Sequence, residues 1–566
     1  MTQQRREAIS GTGSTVTAYL AAAISCAMFF PCLVFVLELF AQTSLFKWQL
    51  PIAVAFATPL ALLGLLKQQS TPVKIAALLA FLCMAGSALA LAGSFYDVSW
   101  DGRAYHADAI LLLLQDVNPL YEHMRGFDDL WTNNYPKISW YFAAITTHAT
   151  GNYNFGKSYN LLLAYAAAAY AFHFFRERGL STGNALLVSL VAGANPVAMS
   201  QVHCYYVDGA LASMMTLLIL SALKMLNSPK TEDKLVFFAT SCLLINLKFT
   251  GVVFVALIYG VLAIVMLLRW FKSRLPEDFT QGRKLAGLML LVGLVGGAIV
   301  GFNPYVTNIM VHDNIFYPLR GIGSIDIINA QSPLAFVGDN MGTMRKVLVS
   351  IFSRTDNIAP QGGTAEPQLK LPFTTDAQEW GVFFSNDVRL AGWGVFFSGA
   401  LLLAAGLYIA MRAWEDTGLT LALVIIALTI VVNPGSWWAR YAPQIALLPL
   451  LMSIPALAST GKWPRITAKF TLALLLLNSA LIVLPNTEFF YRSSKQLRAQ
   501  VDAMLAECGR GQYEIFDMKG YHFEQFLLAD GITVTYPGQD NRKPHAESEL
   551  FPLRDVFLYK EGCVRH

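Results

Sequence analysis

The sequence predicts an all-α polytopic membrane protein of about thirteen transmembrane helices, followed by a small C-terminal α/β domain outside the membrane. Three observations lead there. The 566 residues are 55% hydrophobic and only 14% charged, with mean hydropathy +0.47, whereas soluble chains carry about 25% charge. Runs of about 20 apolar residues, the length that crosses roughly 30 Å of hydrocarbon, recur as far as residue 485. Beyond it the pattern changes to short strand and helix signals in alternation. This composition argues against a soluble enzyme. The net charge of +4 leaves no electrostatic footprint for nucleic acid. The seven Cys, none spaced CxxC, make no metal framework.

In chain order the apolar runs are 16–41, 46–66, 73–93, 158–175, 183–202, 207–226, 235–248, 250–270, 285–304, 390–412, 417–434, 441–459 and 467–485. The first is too long for a signal-peptide core and lacks a convincing A-x-A cleavage site. The run 235–248 is short and closes on Lys248. With the N-terminus inside, Arg5, Arg6, Lys67, Lys74, Arg176, Arg178, Lys230, Lys234, Arg269, Lys272, Arg274, Arg283, Lys284, Arg412, Lys462 and Arg465 all fall on the inner side. The short outer turns keep Lys47, Lys248 and Arg440. That bias follows the positive-inside rule throughout and places the C-terminus outside.

The long stretches 94–157, 305–389 and 486–566 then all lie outside. Long loops in a compact protein are usually functional, so the protein is expected to work on its outer face. Residues 1–485 form the membrane unit, with outer loops 94–157 and 305–389. Residues 486–566 form the C-terminal domain: Ser493–Glu507 and Tyr521–Leu528 read as helices, Gln512–Asp517 and Ile532–Tyr536 as strands. Cys508 and Cys563 are its only cysteines. On an oxidising side they are expected to pair. No sequence repeat is visible, which weighs against an inverted-repeat transporter.

An ionisable residue at mid-membrane costs at least about 2.5–3.5 kcal/mol, and the spans carry few: Glu38 near an outer end, His173 and Lys224 near inner ends. Polar residues crowd the outer mouth instead. The densest group is Tyr96-Asp97-Val98-Ser99-Trp100-Asp101-Gly102-Arg103-Ala104-Tyr105-His106-Ala107-Asp108, directly after the third span. Ala104–Leu114 and, after Lys137, Ile138–Thr147 read as helices with an apolar side, suited to lying in the interface. Asp101 stands where a helix cap would stand, so a structural reading and a chemical one are both open. Further outer groups are Asn195-Pro196 with His203, Tyr205, Tyr206 and Asp208; Asn246-Leu247-Lys248; Asn303-Pro304-Tyr305; and Asn433-Pro434-Gly435-Ser436-Trp437-Trp438-Ala439-Arg440-Tyr441. Each alone reads as a helix terminator with an aromatic anchor. Together they bring carboxylates, cations, amides and aromatics to one face.

With a carboxylate just after a span, two interfacial helices in the first outer loop and a domain after the last span, the chain resembles the GT-C superfamily of integral-membrane glycosyltransferases. These use polyprenyl-phosphate-linked sugars. The local motif is Asp97–Asp101 with Tyr105 and His106; two spans precede the one leading into it. The resemblance implies an inverting transfer to an acceptor hydroxyl, on a glycan or a protein. Asp101 would be the base, and Asp97 an alternative base or a holder of a divalent cation. Arg440, Lys248 and His203 would lie on the phosphate side. Trp437, Trp438 and Tyr441 would stack on sugar or prenyl chain, and Tyr105, His106, Lys137 and Asp208 would complete the binding surface. Metal dependence stays open, since some members hold a metal ion and others do not. Two other readings share the same features: a lipid-glycan polymerase or ligase, and a transporter or flippase of lipid-linked sugars. With no eukaryotic targeting signal, a bacterial inner membrane is expected.

Overall fold

The computed structural model describes residues 3–42, 49–126, 128–337, 341–357, 359, 363–517, 533–535 and 556–559. Among the described residues each of the thirteen apolar runs overlaps helix, with 183–202 interrupted at Ala194–Asn195. Among the described residues seven helices are long and apolar enough to cross a membrane: Thr12–Ala41, Gln49–Leu66, Thr71–Gly93, Asp208–Met225, Phe249–Ser273, Pro276–Val300 and Lys462–Cys508. Four apolar helices are shorter, Thr182–Gly193, Phe397–Ala410, Thr417–Val432 and Pro443–Ala458. Tyr159–Glu177 and Thr231–Ile245 account for the other two runs.

Small residues set the centre of the bundle. Ala21, Ala22 and Ala23 are fully buried in the first helix, which packs on the Ala-rich helix Tyr159–Glu177. Small side chains let apolar helices approach closely where the lipid offers no hydrophobic drive. Asp208–Met225 is buried almost all round, whereas Gln49–Leu66 and Thr71–Gly93 expose most of their surface. An all-round apolar helix on the periphery has its solvent supplied by hydrocarbon.

Charged side chains segregate to the two ends. At one end Arg178 pairs with Asp416, and Lys224 and Lys230 both pair with Glu177. At the other, Arg440 contacts Asp101, Asp208 and Asp387, and Lys248 pairs with Asp208. These are the groupings that the predicted inner and outer loops require.

The last span and the helix predicted at Ser493–Glu507 are one continuous helix, Lys462–Cys508, with Pro485 inside it. The domain boundary expected at 485/486 therefore falls within a helix. At 1.5 Å per residue, its 47 residues run about 70 Å, more than twice the hydrocarbon thickness. Its far half clamps the outer segments. Ser494 Oγ accepts from Tyr96 N at 2.8 Å, Thr487 Oγ1 meets His203 Nε2 at 2.9 Å, and Asn486 Nδ2 donates to Phe384 O at 2.9 Å.

After that helix come β1 (Gln512–Asp517), β2 (Thr533–Thr535) and β3 (Val556–Tyr559), in the order β2-β1-β3. β1 pairs parallel with β2 and antiparallel with β3. Cys508 is disulfide-bonded. Its expected partner Cys563 lies outside the described residues, as does the predicted helix Tyr521–Leu528.

Candidate active site

The first loop enters the site through a buried carboxylate. Asp97 accepts from Ser99 N at 2.8 Å and from Tyr205 N at 2.6 Å, and is fully buried. Burial raises its pKa, opposed chiefly by the charge of Lys157. Lys157 is itself buried beside it, lowered by burial to about 7. A Cβ on Gly102 would lie 2.0 Å from Asp97 Oδ2, so glycine is required where the next helix passes over this carboxylate. Asp97 thus ties the end of the third span to the 203–206 segment. It is not open to an acceptor, which corrects the expectation of Asp97 as an alternative base or cation holder.

Beyond Asp97 the chain forms a helix from Trp100, widened to a π-turn over Gly102–His106 and regular over Ala107–Leu114. Asp101 makes no side-chain capping bond. Its carboxylate turns to Arg440, with Nη2 3.1 Å from Oδ2. The same guanidinium faces Asp208 through Nε at 3.3 Å and Asp387 through Nη1 at 3.4 Å. Its flat face lies within 4.7 Å of the Tyr206 ring centre and 5.2 Å of that of Trp438. Lys248 pairs with the other oxygen of Asp208 and sits 4.0 Å over the ring of Tyr441. Burial lowers the Lys248 pKa, opposed mainly by Asp208.

Exposure ranks the carboxylates. The side chain of Asp208 is 2% exposed and that of Asp101 18%. Asp208 is spent on Lys248, Arg440 and Gln201, whose Nε2 lies 3.3 Å away. Asp101 pairs with Arg440 and stays partly exposed. Asp387 is as open as Asp101 but accepts from Trp438 Nε1 at 3.1 Å and faces Arg389 at 3.5 Å. Arg389 in turn donates to Gln331 Oε1 at 2.7 Å. Asp387 and Arg389 escaped the reading of the sequence. Their signal was there: Asn386-Asp387-Val388-Arg389 immediately precedes an apolar run, as Asp97–Asp101 immediately follows one.

Tyr105 and His106 flank this cluster, their rings 4.4 Å apart, with Trp131, Tyr135 and Trp140 around Tyr105. Trp437 is fully buried, stacked on Trp438 and against Phe336, whereas its neighbour Trp438 and Tyr441 border the cations directly, as Tyr206 does. Two expected residues lie elsewhere. His203 is held between Phe95 and Phe490 and bonded to Thr487. Burial lowers its pKa to about 3, so it brings no charge to a phosphate. Lys137 is buried with Nζ donating to the carbonyls of Asn133 and Tyr135, each at 3.0 Å, and burial holds its pKa well below the usual lysine range. It locks the turn before Ile138. The apolar sides of Ala107–Leu114 and Ile138–Thr150 are covered largely by protein.

The carboxylates of Asp101, Asp208 and Asp387 converge on a guanidinium, which occupies the place a cation would take. Among the described residues no three His, Cys, Asp or Glu side chains are grouped to hold a metal ion. The residues present do not fit a divalent cation.

No family model matches the chain, and no curated protein matches it. Among solved structures it is similar to the crystal structure of ArnT from Cupriavidus metallidurans bound to undecaprenyl phosphate. The identity is 13% and the TM-score 0.46, over 82% of this chain and 86% of that one. At that level of likeness, chemistry has to be read from the side chains themselves.

Proposed function

We propose that this protein is a membrane glycosyltransferase of the GT-C kind, moving a sugar from a polyprenyl-phosphate donor to an acceptor hydroxyl on the outer face of a bacterial inner membrane. The observation that carries the reading is the contact of Asp101 with Arg440 at the polar end of an apolar bundle. A base for an incoming hydroxyl and a cation for a lipid phosphate belong side by side at that depth. Asp101 takes the acceptor proton as the hydroxyl oxygen bonds the anomeric carbon. The bond from that carbon to the phosphate oxygen breaks, and polyprenyl phosphate leaves with the electron pair, so configuration inverts. Arg440 and Lys248 stabilise the phosphate charge as it grows.

The test is incubation of purified protein with a polyprenyl-phosphate sugar and a hydroxyl acceptor. Release of polyprenyl phosphate with transfer or hydrolysis supports the reading. Movement of intact donor across vesicles without release would make the protein a transporter. Release that survives loss of Asp101 would favour a polymerase or ligase.

A further inference from the structure

Trp140 Nε1 lies 2.6 Å from His106 Nδ1. An indole nitrogen only donates. Nδ1 must therefore be the acceptor, and a neutral imidazole in that bond carries its hydrogen on Nε2. His106 is 1% exposed, and its Nε2 is buried without a hydrogen-bond partner. Burial lowers its pKa to about 3, Asp208 opposing and Arg440 and Lys248 reinforcing the shift. The ring is neutral at neutral pH, and those three are the charged groups that act on it. An orphaned buried donor costs about 1–3 kcal/mol and calls for an explanation. Here the cations whose charge reaches it are Arg440 and Lys248, each already held by carboxylates. Asp208, the nearest carboxylate influence, is taken by Lys248, Arg440 and Gln201.

We propose that Trp140 holds His106 as the Nε2–H tautomer so that this hydrogen is donated to an oxygen of the phosphate group bound by Arg440 and Lys248. His106 is then a phosphate-binding residue and Trp140 a positioning residue acting through it. The chemistry recognised is a phosphate ester oxygen, read by one neutral and two cationic donors. A neutral donor binds that oxygen without adding charge to a site that must let the lipid phosphate go. The inference rests on the proposed phosphate-binding role of the site, and goes beyond it in fixing a proton on a named atom.

The experiment uses full-length protein in nanodiscs. The probes are farnesyl phosphate, with farnesol and inorganic phosphate as controls for the lipid and for the free anion. His106→Phe keeps ring volume and removes the donor; His106→Gln places an amide N–H near the Nε2 position. His106→Phe should weaken farnesyl phosphate binding about 10- to 100-fold, the range for a hydrogen bond to a charged group. His106→Gln should stay within about 5-fold, and farnesol binding should not change. Weakened inorganic phosphate binding with an intact farnesol response would identify the anion alone as the ligand of His106. Nitrogen NMR of histidine-labelled protein should show Nε2 protonated and Nδ1 bare, and Trp140→Phe should mix the tautomers. Undiminished farnesyl phosphate binding by folded His106→Phe, or a proton on Nδ1 in the wild type, would overturn the assignment. Sugar transfer is measured separately: if it persists while His106→Phe binds normally, the inference fails and the glycosyltransferase reading stands. If phosphate binding follows His106 but no sugar is transferred, the reverse holds.

Discussion

Asp101 Oδ2 and Arg440 Nη2 meet at 3.1 Å across 339 positions of sequence. They join the first long loop to the turn before Pro443–Ala458. Asp101 lies in the first turn of a helix that starts at Trp100, and its side chain makes no capping bond. Its carboxylate is committed to the mouth and not to the backbone.

Asp101→Asn should therefore lower turnover about 10²- to 10⁴-fold, the usual worth of a general base, with donor binding largely retained. Arg440→Ala should weaken donor binding as well as turnover, because it removes a partner of the phosphate in both ground and transition states. Paired binding and single-turnover measurements check this. A helix cap would tolerate Asn, so normal transfer by folded Asp101→Asn rejects the role.

Asp97 should behave as a structural residue. Asp97→Ala leaves the Ser99 and Tyr205 amides without their acceptor and buried Lys157 without its opposing charge. Breaking a buried charge pair typically costs about 3–5 kcal/mol. Gly102→Ala forces a Cβ onto the same carboxylate and should also be destabilising. Thermal unfolding in detergent would show both variants melting well below the wild type, whereas Asp101→Asn melts near it.

Acidification should destabilise the protein in part through His203. Its folded pKa is about 3, against 6.5 for the ordinary group. Between those values the unfolded state binds the extra proton and the native state does not, so stability is fully present above about pH 6.5 and falls as pH drops toward 3. The slope approaches about 1.4 kcal/mol per pH unit. His203→Gln should lose less melting temperature than the wild type between pH 7 and pH 5. Equal losses would show that His203 does not titrate this way.

The two-ended segregation of charge can be tested in intact cells. Trp100 is exposed beside Asp101, and Glu415 lies at the opposite end, next to the Arg178–Asp416 pair. In a background lacking the exposed Cys83, an impermeant thiol reagent should label Trp100→Cys and spare Glu415→Cys until the membrane is opened. The opposite pattern would invert the orientation.

Local chemistry alone determined the helices and much of the β1 region. A run of 20 apolar residues has few other stable conformations in hydrocarbon, so the runs and the observed helices overlap, and Gln512–Asp517 is a strand as its alternation predicts. The sequence also named Asp101, Asp208, Lys248, Arg440 and Tyr441, which the fold does bring together. It could not separate them from Asp97, His203 and Lys137, which occupy equally conspicuous positions beside spans. All three are buried; Asp97 and His203 are also held by partners far away in the chain, Tyr205 and Thr487, while Lys137 is held by the carbonyls of its own turn. Nor could it find Asp387 and Arg389, whose meaning comes from a Trp438 some fifty positions on. Apolar periodicity is a property of neighbours along the chain, and so it is legible there. Whether a carboxylate is a base, a lock or a counter-ion depends on which charges surround it and how much water reaches it, and only the packed bundle sets those.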